Sequence, residues 1–254
     1  FPIEYFSMNT GIYYDLNREE NTEKIISHTN TARRKAREQV DGICAYTEEL
    51  AHAELLRADV LHSFQSALEK EEFILYFQPK ISGKNAEITS AEVLVRWQRA
   101  DGEIWGPNKF ISVLEECGKV EALDFYVYEK AFQWMISRRE CRTQPVTLSL
   151  NISPFHFRDI EGFTRKLLDI INKYEIDTRY LIFEITESAY IRNRDAVNKM
   201  ISILHEYHIR ISMDDFGSGY SSLNTLKDIA FDEVKIDKNF LDGSLTEKGR
   251  IVLQ

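Results

Sequence analysis

Two adjacent acids, Asp214 and Asp215, close the β-type run Ile211-Ser-Met-Asp-Asp-Phe-Gly-Ser-Gly-Tyr220 just before a glycine-rich turn. Neighbouring carboxylates repel each other, which is costly unless a cation neutralises them. Hard divalent ions take oxygen ligands of this kind. Other strand-like runs finish in the same chemistry. Ile88-Thr-Ser-Ala-Glu92 ends in an acid, and Val146-Thr-Leu-Ser-Leu-Asn151 ends in an amide. Leu181-Ile-Phe-Glu184-Ile-Thr-Glu187 carries two acids, and Glu233-Val-Lys235-Ile-Asp237 sets a lysine among acids.

Helical patterns separate several of these runs. Phe163, Leu167, Ile170, Ile171 and Tyr174 recur at helical spacing, as do Val197, Met200, Ile201 and Leu204. Strands alternating with helices predict βα units and a largely parallel sheet. In a (β/α) barrel, polar residues at the carboxyl ends of several strands form one active site. Strand parity agrees, because successive residues point to opposite faces. Val146, Leu148 and Leu150 share one face, and Thr147, Ser149 and Asn151 the other. Ile209, Ile211 and Met213 oppose Ser212 and Asp214, while Ser90 and Glu92 share a face. The apolar face is expected under helices, and the small polar face inside.

The chain of 254 residues is 43% hydrophobic, enough for a sizeable core in one or two domains. A net charge of -9 argues against broad binding to duplex nucleic acid, but not against a small phosphate ligand held by a metal and a few cations. Cys44, Cys117 and Cys141 are too few and too scattered for a disulfide framework or a zinc site, so a reducing, cytoplasmic setting is expected. No run is long and apolar enough to cross a membrane, and no signal-peptide pattern opens the chain. Three zones are visible: residues 1–48 with a short β-like run, an acidic turn at 17–21 and a basic helix near Ala32; a charged helix over 49–71; and the βα pattern over 72–254. In the middle zone Leu55, Val60, Leu61, Phe64 and Leu68 suit a connecting helix or a dimer contact. Strand-like runs after Phe73 fall near 73–80, 88–96, 146–152, 181–187, 208–214 and 233–237. A closed barrel uses about eight strands, so this one is expected to be incomplete at its C-terminus, with residues 249–254 opening a further helix.

In order and spacing, Glu92-Val-Leu-Val-Arg-Trp97, Asn151-Ile-Ser153, Glu184-Ile-Thr-Glu187, Asp214-Asp-Phe-Gly-Ser-Gly-Tyr-Ser-Ser222 and Val234-Lys-Ile-Asp237 resemble the motifs of the EAL domain. Phe77-Gln78-Pro79 is similar to its opening strand, and the resemblance covers about residues 65–254. It implies an α/β fold, a modified TIM barrel of EAL type, that hydrolyses cyclic di-GMP to linear pGpG with Mg²⁺ or Mn²⁺. Residues 1–48 more weakly resemble the end of a GGDEF domain, through Ser7–Tyr13 and the final helix at Ala32-Arg-Arg-Lys-Ala-Arg37.

The resemblance assigns Glu92, Asn151, Glu184 and Asp214 to one metal ion and Asp215 to a second. Lys235 would hold the attacking water and a phosphate oxygen. Glu187 would anchor the loop from Phe216 to Ser222, which in the family couples metal binding to dimer contacts, and a homodimer is expected. Gln78, Leu94 and Arg96 would touch the dinucleotide. The chemistry is coherent: two ions about 3.5–4 Å apart generate a nucleophilic water and relieve charge on the phosphoryl oxygens. An oxygen-only ligand set suits Mg²⁺, and a lysine amid acids opposes developing phosphoryl charge. The name-giving motif reads Glu-Val-Leu, so Val93 adds bulk that can crowd substrate. The family's later catalytic glutamate is not found before Gln254. Plainer readings stay open. Glu92 can be a solvated rim residue, Asn151 a turn cap, Lys235 a surface lysine and Arg96 a structural ion pair. Arg33–Arg37 reads as a solvated helix face, the tryptophans as packing and Cys117 as a small buried residue. A non-hydrolysing cyclic di-GMP receptor and a dimerisation module are the alternative functions.

Overall fold

The structure is a computed structural model and describes residues 8–14, 21–37, 39–141, 144–217 and 231–237. The chain forms two compact units, 1–66 and 67–254. The acidic turn expected at 17–21, the loop beyond Gly217 and the helix start at 249–254 lie outside the described residues, apart from Asn21.

In the first unit, β1 (Thr10–Ile12) pairs in parallel with β2 (Ile43–Ala45), and α1 (Thr22–Ala36) connects them. Asn21 caps α1 by accepting from the Glu23 amide. Ala32 and Ala36 are buried while Arg33, Arg34, Lys35 and Arg37 are exposed, so the basic stretch is a solvated face. The helix α2 (Glu48–Glu69) begins where Thr47 Oγ1 accepts from the Leu50 amide at 3.2 Å. Its Val60 and Phe64 are buried, whereas Leu55 is exposed.

The second unit is a sheet with helices packed on it. In chain order it holds β3 (Phe73–Ile81), β4 (Ile88–Gln98), the short β5 (Ile104–Trp105), α3 (Ile111–Glu116) and α4 (Val120–Glu140). Then follow β6 (Thr147–Asn151), α5 (Ile160–Lys173), β7 (Leu181–Thr186), α6 (Glu187–Arg192), α7 (Arg194–Glu206), β8 (Arg210–Phe216) and β9 (Glu233–Ile236). The strand order is β3-β4-β6-β7-β8-β9, with β5 pairing to β4. Every expected run becomes a strand within a few residues of its predicted bounds. The long helix α4 and the two-residue β5 were not anticipated. The pairs from β4–β6 to β8–β9 are parallel, but β3 is antiparallel to β4. A connection of residues 82–87 is too short for a crossover and permits only a hairpin.

Parity holds. Leu148, Leu150, Phe183, Ile185, Ile211 and Met213 are buried, as are Phe163, Leu167 and Ile171 of α5 and Val197, Met200 and Leu204 of α7. The opposite face carries Ser90, Ser149, Glu184 and Ser212, also buried, so this sheet hides a polar face as well as an apolar one. Asp159 caps α5 through the Gly162 amide at 2.9 Å, setting that helix's entry onto the sheet. At the β4 end, Trp97 is fully buried among Phe73, Trp105 and Phe110, and its Nε1 donates to Glu72 at 3.0 Å. Cys117, expected to be buried, is exposed: it follows α3 in the turn where Gly118 takes a φ of +68°. Trp97→Ala is expected to lower the unfolding free energy by about 3–5 kcal/mol. Leu55→Ala is expected to stay within about 0.5 kcal/mol. Urea denaturation of the two variants checks both figures.

Candidate functional site

Three carboxylates converge from β4, β7 and β8; Glu92 does not close its strand as the sequence suggests but sits midway along β4, which continues to Gln98. Oxygens of Glu92, Glu184 and Asp214 lie within 4.8 Å of one another. The Lys235 ammonium, from β9, stands among them at 2.9 Å from Glu92 Oε2, 2.6 Å from Glu184 Oε2 and 3.1 Å from Asp214 Oδ1. Asn151 sits at the rim, its Nδ2 3.5 Å from Glu92 Oε1. Its turn is braced from α4: Tyr128 donates to the Asn151 carbonyl at 2.8 Å, and Asp124 accepts from the Ser153 amide at 3.4 Å while contacting His156 at 2.8 Å.

A second ammonium group contacts the same cluster. Lys80 Nζ donates to Glu184 Oε1 at 2.9 Å, Ser149 Oγ at 2.9 Å and Glu233 Oε1 at 3.0 Å. Neither Lys80 nor Glu233 was anticipated. The signal was present, since Lys80 is two residues from Gln78 on one strand and Glu233 two from Lys235 on another, and each pair shares a face. Glu184 thus lies between two ammonium groups, its side chain wholly buried. Four carboxylates, Glu92, Glu184, Asp214 and Glu233, face two ammonium groups, leaving a surplus of two negative charges. An oxygen-only set with that surplus and one cationic group already at its centre fits a divalent ion of the hard class.

Burial opposes ionisation of Glu184, but the hydrogen bonds and charges of Lys235 and then Lys80 outweigh it and hold its pKa below the ordinary 4.5. Burial likewise opposes the charge on Lys235, yet Glu184 and then Glu92 raise its pKa far above the ordinary lysine value. Asp215 behaves oppositely. Partial loss of hydration at its carboxyl, then the charge of Asp214, push its pKa up from 3.8 although the residue as a whole is exposed. Asp215 is exposed, lies outside the three-carboxylate cluster, and takes a φ of +55° where the β8–β9 register shifts. Such a bulge re-aims side chains. Here it separates the two adjacent acids, and the Asp215 amide donates to Asp214 Oδ1 at 2.9 Å.

Glu187 opens α6 fully buried, and its Oε2 accepts from the Gly217 amide at 2.9 Å. It therefore ties the end of β8 to the start of α6 rather than joining the carboxylate cluster. Gln78 is exposed and pairs with Glu92 across β3–β4, while Leu94 pairs with Tyr76. The Arg96 guanidinium lies over the Tyr76 ring at 5.4 Å and donates to the Val95 carbonyl at 2.8 Å, and it makes no ion pair among the described residues. Val93 is buried on the strand face opposite Glu92 and Leu94, so it faces the core and does not crowd this site. A separate cavity of about 350 Å³ lies at the other end of the strands, lined by Trp134, Arg138, Val146, Ile176 and Tyr180.

An α/β sheet with a cluster of three carboxylates and a lysine on its polar face defines the class of protein. The EAL domain family matches residues 61–254, and the chain belongs to that family. It is 32% identical over 212 residues to the uncharacterized protein sll1895 of Synechocystis, covering 83% of this chain and 30% of that protein. It is 30% identical over 240 residues to the cyclic di-GMP phosphodiesterase PdeR of Escherichia coli, covering 93% of this chain and 36% of that protein. The solved structure of the PaMucR phosphodiesterase in complex with c-di-GMP superposes with a TM-score of 0.69 at 27% identity, covering 77% of this chain and 78% of that one. The chain spans about a quarter to a third of the length of the curated relatives it matches. Among the described residues no helix is long and apolar enough to cross a membrane.

The depressed Glu184 value means its stabilising contribution is present above pH 4.5 and is lost as pH falls through the folded-state pKa. In chelator at pH 7, Glu184→Gln is expected to cost about 1–3 kcal/mol, because two half-buried ammonium groups lose their shared partner while keeping Glu233, Glu92 and Asp214. Its stability should also fall less steeply than wild type below pH 4.5. Denaturation curves from pH 3 to 7 read both effects. Asp215 has the opposite sign: its ionised form is disfavoured in the fold, so Asp215→Asn is expected to stabilise the metal-free protein at pH 7. A lower melting temperature in that variant overturns this assignment.

Proposed function

We propose that this chain is a cyclic di-GMP phosphodiesterase that hydrolyses the cyclic dinucleotide to linear pGpG with Mg²⁺ or Mn²⁺. The observation that carries the reading is the Lys235 ammonium centred among Glu92, Glu184 and Asp214 within a surplus of negative charge. Membership in the EAL family and the likeness to PdeR and to the PaMucR complex support the substrate.

In this reading Glu92, Asn151, Glu184 and Asp214 hold one divalent ion and Asp215 serves a second. Ions held there would supply a water that is nucleophilic near neutral pH and relief of charge at the phosphoryl oxygens. In the metal-free site the acidic neighbours raise the pKa of Lys235, and its ammonium would offer hydrogen bonds to the attacking water and a phosphate oxygen. Glu187 holds the Gly217 amide and so couples the segment after β8 to the site. Gln78, Leu94 and Arg96 extend from Glu92 along the same face of β3 and β4, where they would contact the dinucleotide. A homodimer and a cytosolic setting belong to the same reading, the latter supported by three free cysteines. So does the division into the end of a GGDEF-like domain (1–48), a connecting helix (49–71) and the EAL domain (72–254), with β1, α1, β2 and α2 supplying the elements before the sheet.

The test is incubation of the intact protein with cyclic di-GMP and Mg²⁺ or Mn²⁺, followed by chromatography for pGpG. Product is expected from wild type and is expected to vanish in Glu92→Ala. Asp214→Asn should weaken metal binding by about 10-fold or more in a calorimetric titration. Tight cyclic di-GMP binding without product identifies a receptor instead, and absence of binding overturns both readings.

A further inference from the structure

We infer that Tyr128 and Asp124 of α4 are positioning residues: they hold the backbone turn that aims the Asn151 side chain at the ion. The inference rests on the metal reading above, in which Asn151 is a ligand. Asn151 is the last residue of β6 and is exposed. Its side chain reaches the carboxylates at Nδ2, 3.5 Å from Glu92 Oε1, the outer limit of a hydrogen bond. A contact that long restrains it weakly, so its direction is set chiefly by its backbone.

That backbone is held on both sides. The Tyr128 hydroxyl donates to the Asn151 carbonyl at 2.8 Å, and the next amide, of Ile152, donates to the Glu184 carbonyl at 2.9 Å. Asp124 accepts from the Ser153 amide at 3.4 Å and is itself held by His156 Nε2 at 2.8 Å. Residues four apart on a helix share a face, so α4 presents Asp124 and Tyr128 to one turn. Tyr128 is 1% exposed, and its ring lies edge-on to Phe183 at 5.4 Å, which fixes where the hydroxyl sits. An amide ligand carries no net charge, so its worth to a cation depends on where its oxygen is placed. Such groups must be held within about 0.5 Å of their productive geometry, and hydrogen bonds from outside the ligand set do that.

The test titrates the intact protein with Mg²⁺ and Mn²⁺ alone, by calorimetry and without substrate, across a double-mutant cycle of Tyr128→Phe and Asn151→Ala. Tyr128→Phe removes one hydroxyl and keeps the ring. It is expected to weaken metal binding by about tenfold, the lower end of the range for outer partners of a metal site. Asn151→Ala is expected to bind more weakly than wild type but measurably, because Glu92, Glu184 and Asp214 remain. In that background Tyr128→Phe is expected to change the affinity by less than about twofold, since a residue acting through Asn151 loses its effect once Asn151 is gone. A general loosening of the fold weakens both backgrounds alike, and that result overturns the inference. Unchanged binding in Tyr128→Phe also overturns it and leaves the metal reading standing. Wild-type affinity in Asn151→Ala overturns it by removing Asn151 from the ligand set. A wild type that binds neither ion overturns the metal reading and the inference together. Circular dichroism reports folding. Asp124→Asn, taken through the same cycle, is expected to give the same pattern and decides if Tyr128→Phe does not fold.

Discussion

A single buried carboxylate organises this domain. Glu184 lies on the central strand β7, wholly enclosed, with Lys80 on one oxygen and Lys235 on the other. An isolated carboxylate in such a position would cost several kcal/mol of lost hydration. The two lysines offset that cost from the two edge strands of the described path, one on β3 and one on β9. These are the first and last strands of the described path, so the ion pairs span the whole curved sheet. The charge network and the curvature therefore depend on each other.

Small residues make this possible. Ser90, Ser149 and Ser212 occupy the inner face below the acids, and all are buried. Larger side chains there would fill the volume that the lysine stems now use. The outer face, with Leu148, Leu150, Phe183, Ile185, Ile211 and Met213, packs under the helices and supplies the hydrophobic stabilisation. The division of labour between faces follows from the period-two geometry of a strand. It lets one sheet carry an apolar core and a charged interior without mixing them.

The adjacent acids of β8 gain different roles through backbone shape. Asp214 stays in the strand and joins the cluster, while Asp215 turns through a left-handed conformation at the register shift. Aspartate tolerates that conformation better than most residues. Two residues later Gly217, at a φ of +93°, brings its amide to buried Glu187. The end of β8 is therefore tied at two points, by Lys235 to the carboxylates and by Glu187 to the start of α6.

Much of this was legible in the chain itself. Acids, an amide and a lysine at successive strand ends, with alternating small polar and apolar residues, predict a layered α/β sheet with one active site, and Glu92, Glu184, Asp214 and Lys235 do converge. Those inferences work because strand parity and hydrophobic period are local properties of a sequence. What the tertiary structure decided is non-local. Lys80 and Glu233 are 153 residues apart, and no local pattern pairs them. The displacement of Asp215 from the cluster is a backbone bulge, and the outward turn of Val93 is settled by which face of β4 meets the helices. Local chemistry thus names the candidates, and only the closing of distant strands around Glu184 decides which of them share a charge.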